Sequence, residues 1–403
     1  MEPLRICVLG LGYIGLPTAS LLATKGFRVL GVDVNPDVVE TINRGAIHIK
    51  EPELDILVRS AVHSGNLKAA TEPSEAEIFI IAVPTPFMEG HRPDLSYIEA
   101  ATAALAPCLR KGDLVILEST SPVGTTDRVS MQLREARPDL VDGENATFFV
   151  THCPERVLPG RILRELVEND RIVGGVDPPS TEAASRFYRT FVSGEVLATD
   201  ARTAEMAKLV ENSYRDVNIA FANELSILSH RFGINVWELI RLANHHPRVS
   251  ILQPGAGVGG HCLAVDPWFI VSSAPEDARL IRTSREVNEG KTRWVVERAL
   301  DRARRFRDPV VAVLGLTYKP DIDDLRESPA LEVARALIAE VEGEVLACDP
   351  NLRVFEEFPL HSLEECLERA DIVVALVAHR EFRHLDSELL KDRVIIDACG
   401  VIR

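Results

Sequence analysis

Apolar residues gather along this chain in two ways: in short unbroken runs that end on a glycine or an acid, and at helical spacing over longer stretches. Arg5-Ile6-Cys7-Val8-Leu9 runs directly into Gly10-Leu11-Gly12-Tyr13-Ile14-Gly15. A helical segment follows from about Leu16 to Lys25, with Pro17 suited to a first turn. Phe27-Arg28-Val29-Leu30-Gly31-Val32-Asp33 then predicts a second strand closed by a carboxylate. Two more strand ends fit the same sheet: Ile78-Phe79-Ile80-Ile81-Ala82-Val83 before Pro84-Thr85-Pro86, and Leu114-Val115-Ile116-Leu117 before Glu118-Ser119-Thr120.

In the middle, residues 203–231 contain no Gly or Pro and carry Met206, Leu209, Val210, Val217, Phe221, Leu225 and Leu228 at helical spacing. This predicts a helix of roughly 40 Å. Lys208, Asn212 and Arg215 fall at i, i+4 and i+7 and share a face. Such a stripe is either merely solvated or holds one oxygen or one water between Lys and Asn. A long uninterrupted helix between two α/β units also suggests a spine that pairs with a second copy. The last third then repeats the first: Val310-Val311-Ala312-Val313-Leu314-Gly315-Leu316-Thr317-Tyr318 echoes the opening run, and Asp349 and residues 369–376 echo Asp33 and residues 75–82. Thr317 stands where Gly12 stood, so this second unit has lost the dinucleotide grip. Lys319 and Arg326 in its loop can instead neutralise phosphates by charge, unless the sheet is purely structural.

The glycine pattern between the first strand and helix is a dinucleotide fingerprint, with the acid about 20 residues on. Gly10 makes the turn, Gly12 lets backbone reach a pyrophosphate, and Gly15 lets helix pack on strand. Asp33 would bond the ribose hydroxyls and repel a 2′-phosphate, which predicts NAD rather than NADP. Thr85 and Thr120 lie beyond strand ends, where ligands of doubly wound sheets bind, or they satisfy local turns. A second candidate centre is Gly257-Val258-Gly259-Gly260-His261-Cys262-Leu263-Ala264-Val265-Asp266-Pro267. A thiol behind a glycine-dense turn is open to approach by a substrate atom; the alternative is that Cys262 is a small buried hydrophobe.

Charge and composition narrow the partners. A net charge of −16 argues against nucleic acid. The seven cysteines, without CxxC pairs or zinc-type spacing, give a reducing, cytoplasmic pattern and no metal. No signal-peptide pattern and no apolar run of membrane-helix length appear, so no membrane insertion is expected.

Taken together, Gly10-Leu11-Gly12-Tyr13-Ile14-Gly15-Leu16-Pro17, residues 118–126, Cys153-Pro154-Glu155-Arg156-Val157-Leu158-Pro159-Gly160, Glu205-Met206-Ala207-Lys208-Leu209-Val210-Glu211-Asn212, residues 253–269 and the 319–329 loop resemble the UDP-glucose/GDP-mannose dehydrogenase family over essentially the whole chain. That family's UDP-glucose branch tends to carry a lysine where this chain has Val265. His261, Val265 and Pro267-Trp268-Phe269 resemble the N-acetylhexosamine branch, nearest to enzymes acting on UDP-N-acetyl-D-mannosamine, with UDP-N-acetyl-D-glucosamine next.

The resemblance implies an α/β protein with two Rossmann-like doubly wound domains joined by a long central helix and a helical dimerisation region. The implied domains are an NAD-binding domain at 1–199, a central domain with the cysteine loop at 200–305, and a UDP-binding domain at 306–403. The implied activity is a cytoplasmic NAD-dependent UDP-sugar 6-dehydrogenase that takes four electrons from C6, using two NAD, and supplies polysaccharide biosynthesis. Cys262 would trap the aldehyde as a thiohemiacetal and carry the thioester, Lys208 and Asn212 would hold the C6 oxygen, and Asp266 with Lys208 would activate water. Glu155 joins the catalytic set. Gly10, Gly12, Tyr13, Ile14, Gly15, Asp33, Thr85, Thr120 and Arg326 would bind the cofactor. Arg156, Val157, Lys208, Asn212, Arg215, Gly257 and Lys319 would bind the sugar nucleotide, with His246 and Arg248 reaching across a homodimer. Where the family usually has a basic residue two positions after the last strand-end aspartate, this chain has Cys399, which receives no role.

Three rivals remain at this level. A Rossmann domain followed by a helix bearing Lys-x-x-x-Asn also resembles two-electron β-hydroxyacid dehydrogenases. A nucleotide sensor needs no nucleophile, and the coincidence of Lys208, Asn212, Cys262 and Asp266 speaks against it. A metal site using His245, His246, His261 and Cys262 lacks suitable spacing.

Overall fold

Unbroken apolar runs become strands buried on both faces, which is the environment of a parallel sheet covered by helices. The structure, a computed structural model, describes residues 3–260, 262–385 and 390–402. It forms two compact units, Met1–Val210 and Glu211–Arg403. His261 of the cysteine loop lies outside the described residues.

The first unit opens with β1 (Arg5–Leu9), α1 (Gly15–Thr24), β2 (Arg28–Val32), α2 (Pro36–Asn43), α3 (Leu54–His63), β3 (Leu67–Ala70) and β4 (Ile78–Ile81). A small hairpin of β5 (Phe87–Met88) and β6 (Arg92–Pro93) precedes α4 (Ser96–Leu105), β7 (Leu114–Leu117) and α5 (Thr125–Ala136). A second hairpin, β8 (Val141–Asp142) and β9 (Asn145–Ala146), leads to β10 (Phe149–His152), α6 (Ile162–Glu168), β11 (Arg171–Gly175), α7 (Pro178–Tyr188) and β12 (Val196–Asp200). The main sheet has the order β12-β11-β10-β7-β4-β1-β2-β3, parallel except where β10 meets β11. Alternate residues of each strand feed opposite cores: Ile6, Val8, Ile78 and Ile80 into one, Cys7, Leu9, Phe79 and Ile81 into the other. The strand order reverses at the β1/β4 boundary, so the loops after these two strands flank the crevice where such sheets take ligands.

Helix α8 (Ala201–Phe232) begins in the first unit and continues into the second. Its start is pinned by Glu205, fully buried, whose carboxylate accepts the N–H of Gly124 (2.6 Å), the N–H of Thr126 (2.7 Å) and the Thr126 hydroxyl (2.6 Å). A carboxylate in that position caps the N-terminus of α5.

The second unit continues with α9 (Val236–Ala243), α10 (Asp266–Ser273) and α11 (Arg279–Ala303). After these come β13 (Val310–Leu314), α12 (Pro329–Glu340), β14 (Glu344–Cys348), α13 (Leu363–Arg369), β15 (Ile372–Ala375) and β16 (Val394–Asp397). Its parallel sheet, β14-β13-β15-β16, repeats the order β2-β1-β4-β7 and is again covered on both faces. The internal repeat extends to single hydrogen bonds. Gly315 N–H donates to the Cys348 carbonyl at 2.8 Å as Gly10 does to Val32 at 2.8 Å. Asp349 accepts from Leu316 at 2.8 Å as Asp33 accepts from Leu11 at 3.0 Å.

The apolar residues of α8 divide between two faces: Leu209, Ala204, Ala220 and Ala222 are buried, but a row of larger ones is not. Met206, Val210, Tyr214, Phe221 and Leu228 are exposed, whereas Asn212, Ser213, Asp216, Asn223, Ser226 and Ser229 are buried. Among the described residues, no helix is long and apolar enough to cross a membrane.

Candidate active site

The nucleotide grip in the first unit is built by steric exclusion. Gly10 has φ +90, and a Cβ there would stand 2.6 Å from the Ala82 carbonyl oxygen. A Cβ on Gly15 would fall 1.8 Å from the Gly10 carbonyl oxygen, so helix and strand approach as the fingerprint requires. A Cβ on Gly12 would meet nothing within 4 Å. That open backbone leads into α1, which has no side-chain cap and no acid in its first turn, unlike α2 and α7, which Asn35 and Asp177 cap. An open glycine turn at the positive end of a helix is a cradle for an anion, and it fits the pyrophosphate of a dinucleotide. Asp33 sits at the end of β2, half-buried, accepting N–H bonds from Leu11 and Asn35, both at 3.0 Å. Tyr13 is 40 % exposed and Ile14 half-buried on the same loop. Thr85 and Thr120, beyond adjacent strands β4 and β7, are tied together: the Thr85 hydroxyl donates to the Thr120 carbonyl at 2.7 Å.

Glu155, which the family resemblance marked, sits in a buried ionic cluster with Arg171, which no sequence pattern singled out. Glu155 receives the Arg171 guanidinium at 2.8 Å and the Arg156 N–H at 2.7 Å. Glu118 accepts the Tyr188 hydroxyl at 2.8 Å, and burial pushes its carboxyl up to about 7. His152, fully buried, has neither ring nitrogen hydrogen-bonded among the described residues, and burial pushes it down to about 3. Arg156 is half-buried, with Nη1 3.3 Å from the Asp170 carbonyl, and Val157 packs on the core.

In the second unit Cys262 ends the glycine-dense turn. It is half-buried, whereas burial pushes the Cys7 and Cys153 thiols up to about 12. The Cys262 carbonyl accepts N–H bonds from Val265 (3.1 Å) and Asp266 (2.8 Å), which turn the chain into α10. Asp266, at the first position of α10, accepts the Asn212 side-chain amide at 2.5 Å, both groups buried. Thus Asn212, Asp266 and the cysteine turn come together; Arg215, one turn along α8, is exposed. The glycines before the cysteine make a close approach, but to the protein's own loop. A Cβ on Gly259 would fall 2.3 Å from the Glu327 carbonyl oxygen, and one on Gly260 (φ +82) 2.9 Å from the Tyr318 ring. Gly257 likewise packs against Pro329 and Thr292.

A second polar network supports this turn from behind. Asp216 accepts Arg285 Nη1 at 2.8 Å and Asn288 Nδ2 at 2.8 Å. Asn223 donates to Asn288 Oδ1 at 2.9 Å and accepts the Gly255 N–H at 2.9 Å. Asp216 and Asn223 read as ordinary solvated helix positions, and their only signal in the chain is a seven-residue spacing that repeats the face.

The 319–329 loop of the second unit cannot grip a dinucleotide as the first unit does. Thr317, fully buried, replaces the open glycine, and α12 starts only after Ser328. Both Asp349 oxygens are taken, by Leu316, Thr317, Asn351 and His379. Lys319 is half-buried with no ion pair among the described residues, and Arg326 is held by Asp324 at 2.6 Å. Lys208 is half-buried on α8, one turn before Asn212, while His246 and Arg248 are exposed beyond α9.

Comparison with known proteins matches three consecutive models of one family: the UDP-glucose/GDP-mannose dehydrogenase NAD binding domain at residues 4–192, the central domain at 202–290 and the UDP binding domain at 312–403. The chain is 58 % identical over 98 % of its length to an NDP-N-acetyl-D-galactosaminuronic acid dehydrogenase of Ralstonia nicotianae, covering 96 % of that protein. It is 54 % identical over 95 % of its length to the UDP-N-acetyl-D-mannosamine dehydrogenase of Campylobacter jejuni, covering 97 % of it. The UDP-N-acetyl-mannosamine dehydrogenase structure from Staphylococcus aureus superposes with a TM-score of 0.89 at 44 % identity, over 99 % of this chain and 96 % of that one. A nucleotide grip of NAD type, a half-buried cysteine beside a buried Asn–Asp pair, and family matches that follow one another along the chain lead to one conclusion: the protein is a member of the UDP-glucose/GDP-mannose dehydrogenase family.

Proposed function

We propose that this protein oxidises UDP-N-acetyl-D-mannosamine at C6 to the uronate, taking four electrons with two NAD in turn. The observation that carries the reading is likeness of 51–54 % over almost the full chain to dehydrogenases named for that substrate. NAD supplies the hydride acceptor for each oxidation. Lys208 and Asn212 hold the C6 oxygen as its proton leaves, and the Asn212 amide is oriented for this by Asp266. Cys262 Sγ adds to the aldehyde carbon, giving a thiohemiacetal; loss of its hydride gives a thioester; water placed by Asp266 and Lys208 releases the carboxylate and the thiol. Glu155, held by Arg171, completes the catalytic set. Arg156, Val157, Arg215, Gly257 and Lys319 line the sugar nucleotide, and Arg326 meets the cofactor.

The same reading divides the chain at 1–199, 200–305 and 306–403, and makes it a cytoplasmic homodimer. The apolar row Met206, Val210, Tyr214, Phe221 and Leu228, exposed at helical spacing on α8, supports pairing with a second copy, which brings His246 and Arg248 to the partner's substrate. A second substrate reading has its own support. The relatives at 58 % carry the N-acetyl-D-galactosaminuronic name, a sugar series that differs from the manno form at C2 and C4. The test offers NAD with UDP-N-acetylmannosamine, -glucosamine, -galactosamine and UDP-glucose separately. Two NADH per manno sugar and a single acid product are expected. One NADH, or preference for the galacto sugar, overturns the mechanism or the substrate respectively. Cys262→Ala should lose acid formation while still binding NAD.

A further inference from the structure

Lys291 on α11 is 2 % exposed, and among the described residues its ammonium meets the Ser226 hydroxyl at 2.6 Å and the face of Trp294 at 3.7 Å. Arg298, two turns on, lies 4.8 Å from the centroid of the same ring, and His230 meets that ring edge-on at 5.6 Å. Among the described residues, no carboxylate pairs with Lys291 or Arg298; the neighbours that reach them are cations. Burial and Arg298 push Lys291 down to about 7, burial and Arg302 lower Arg298, and His230 is lowered by burial and by Arg298, Arg302 and Lys291. Cation–π contact recovers only part of the solvation lost by a buried ammonium. The cluster is therefore short of negative charge.

These side chains, with Ser226 and Ser229, line a cavity of about 240 Å³. At about 30 Å³ per water this is room for a phosphate and a short organic chain. Asp397 also borders the cavity, but its Oδ1 accepts the N–H groups of Cys399, Gly400 and Val401, and its Oδ2 that of Ile402. Its oxygens are turned to the backbone of residues 399–402, and among the described residues it forms no ion pair with Lys291 or Arg298, so one carboxylate at the rim faces two cations. A tetrahedral dianion matches them in charge, and its oxygens match the lysine, guanidinium and serine donors.

We propose that this cavity binds a small phosphate-bearing anion, inorganic phosphate or a short phosphate monoester, held by Lys291 and Arg298. Pro254 of the chain leading to Cys262 and Ile396–Ala398 at the end of β16 border the same cavity, so an occupant touches both the cysteine loop and the last strand of the second unit.

The test is calorimetric titration of the full chain, free of NAD and sugar nucleotide, with inorganic phosphate and with glycerol 3-phosphate, against sodium chloride of equal ionic strength. One equivalent should bind per chain, and Lys291→Met and Arg298→Gln should each weaken it about 10-fold or more. Arg298 is half-buried, so its variant keeps the test valid should Lys291→Met fail to fold. Lys319→Met, which removes the cation proposed for the substrate diphosphate, should bind phosphate as the parent does. Tighter binding of the ester identifies an ester as the occupant; the reverse identifies the free ion. No saturable binding of either anion, unchanged affinity in both variants, or loss confined to Lys319→Met overturns the proposal, whatever the fate of the proposed oxidation.

Discussion

Replacing Asn223 by alanine tests whether the network behind the cysteine turn carries the turn's geometry. Asn223 is fully buried, accepts the Gly255 N–H at 2.9 Å and donates to Asn288 Oδ1 at 2.9 Å. The substitution strands one donor and one acceptor. A buried polar group left without its partner costs about 1–3 kcal/mol. Gly255 is only half-buried, so water softens its share. The expected loss is about 2–4 kcal/mol, and at roughly 2–4 °C per kcal/mol for a unit of this size the second unit should melt about 4–16 °C lower. Calorimetric unfolding reads that shift, and titration with NAD and steady-state NADH formation read function. NAD affinity should stay within about 2-fold, since the glycine turn and Asp33 lie in the first unit and, among the described residues, Arg326 does not bond Asn223. Turnover should fall about 10-fold or more, because the loop before Cys262 loses its tether. A melting point within about 1 °C of the parent, or NAD affinity falling in step with turnover, would refute the reasoning.

Gly12→Ala should fold with an unchanged melting point, since its Cβ meets nothing within 4 Å, yet bind NAD at least about 10-fold more weakly; Gly15→Ala, with its Cβ 1.8 Å from a carbonyl oxygen, should unfold the first unit. Equal melting points for the two would contradict the packing argument. His152, held neutral with a folded value near 3 against 6.5 unfolded, leaves the unfolded chain binding the extra proton in acid, so its contribution to stability is full above pH 6.5 and lost progressively below it. Relative to His152→Leu, the parent should therefore lose about 1.4 kcal/mol per pH unit below that point in urea titrations; parallel pH profiles would count against a neutral buried ring. Phe221→Asp, on the exposed row of α8, should convert the proposed dimer to monomer by light scattering without lowering NAD affinity. A variant that stays dimeric moves the interface elsewhere.

Much of the site was readable in the chain because its geometry is local. A strand, three spaced glycines, a helix and an acid close on one another within about thirty residues. The roles proposed for Gly10, Gly12, Gly15 and Asp33 therefore follow from spacing alone, and the repeat in the last third and the turn carrying Cys262 are visible in the same way. The Asp216–Arg285–Asn288–Asn223 network, the Glu155–Arg171 pair and the buried Lys291 could not be read this way. Each joins residues that no local spacing links, and apart from Glu155, which the family motif marked, each taken singly looks like a solvated position.

The periodicity of α8 identified an apolar stripe but not what covers it, since a 3.6-residue repeat specifies a face and says nothing of its neighbour. Packing against α11 and α10 turned Asn212, Asp216 and Asn223 inward and left Phe221 and Val210 outside. The glycines before Cys262 announced a close approach, and only the fold supplied Tyr318 and Glu327 as the groups approached. Asp33 and Asp349 end equivalent strands with nearly identical local bonds. One stays half-exposed, while His379 and the buried Thr317 close over the other. Short-range order thus wrote the motifs; which of them remain open to a ligand depends on side chains that arrive from far along the chain, and those arrive only when the sheet and helices have packed.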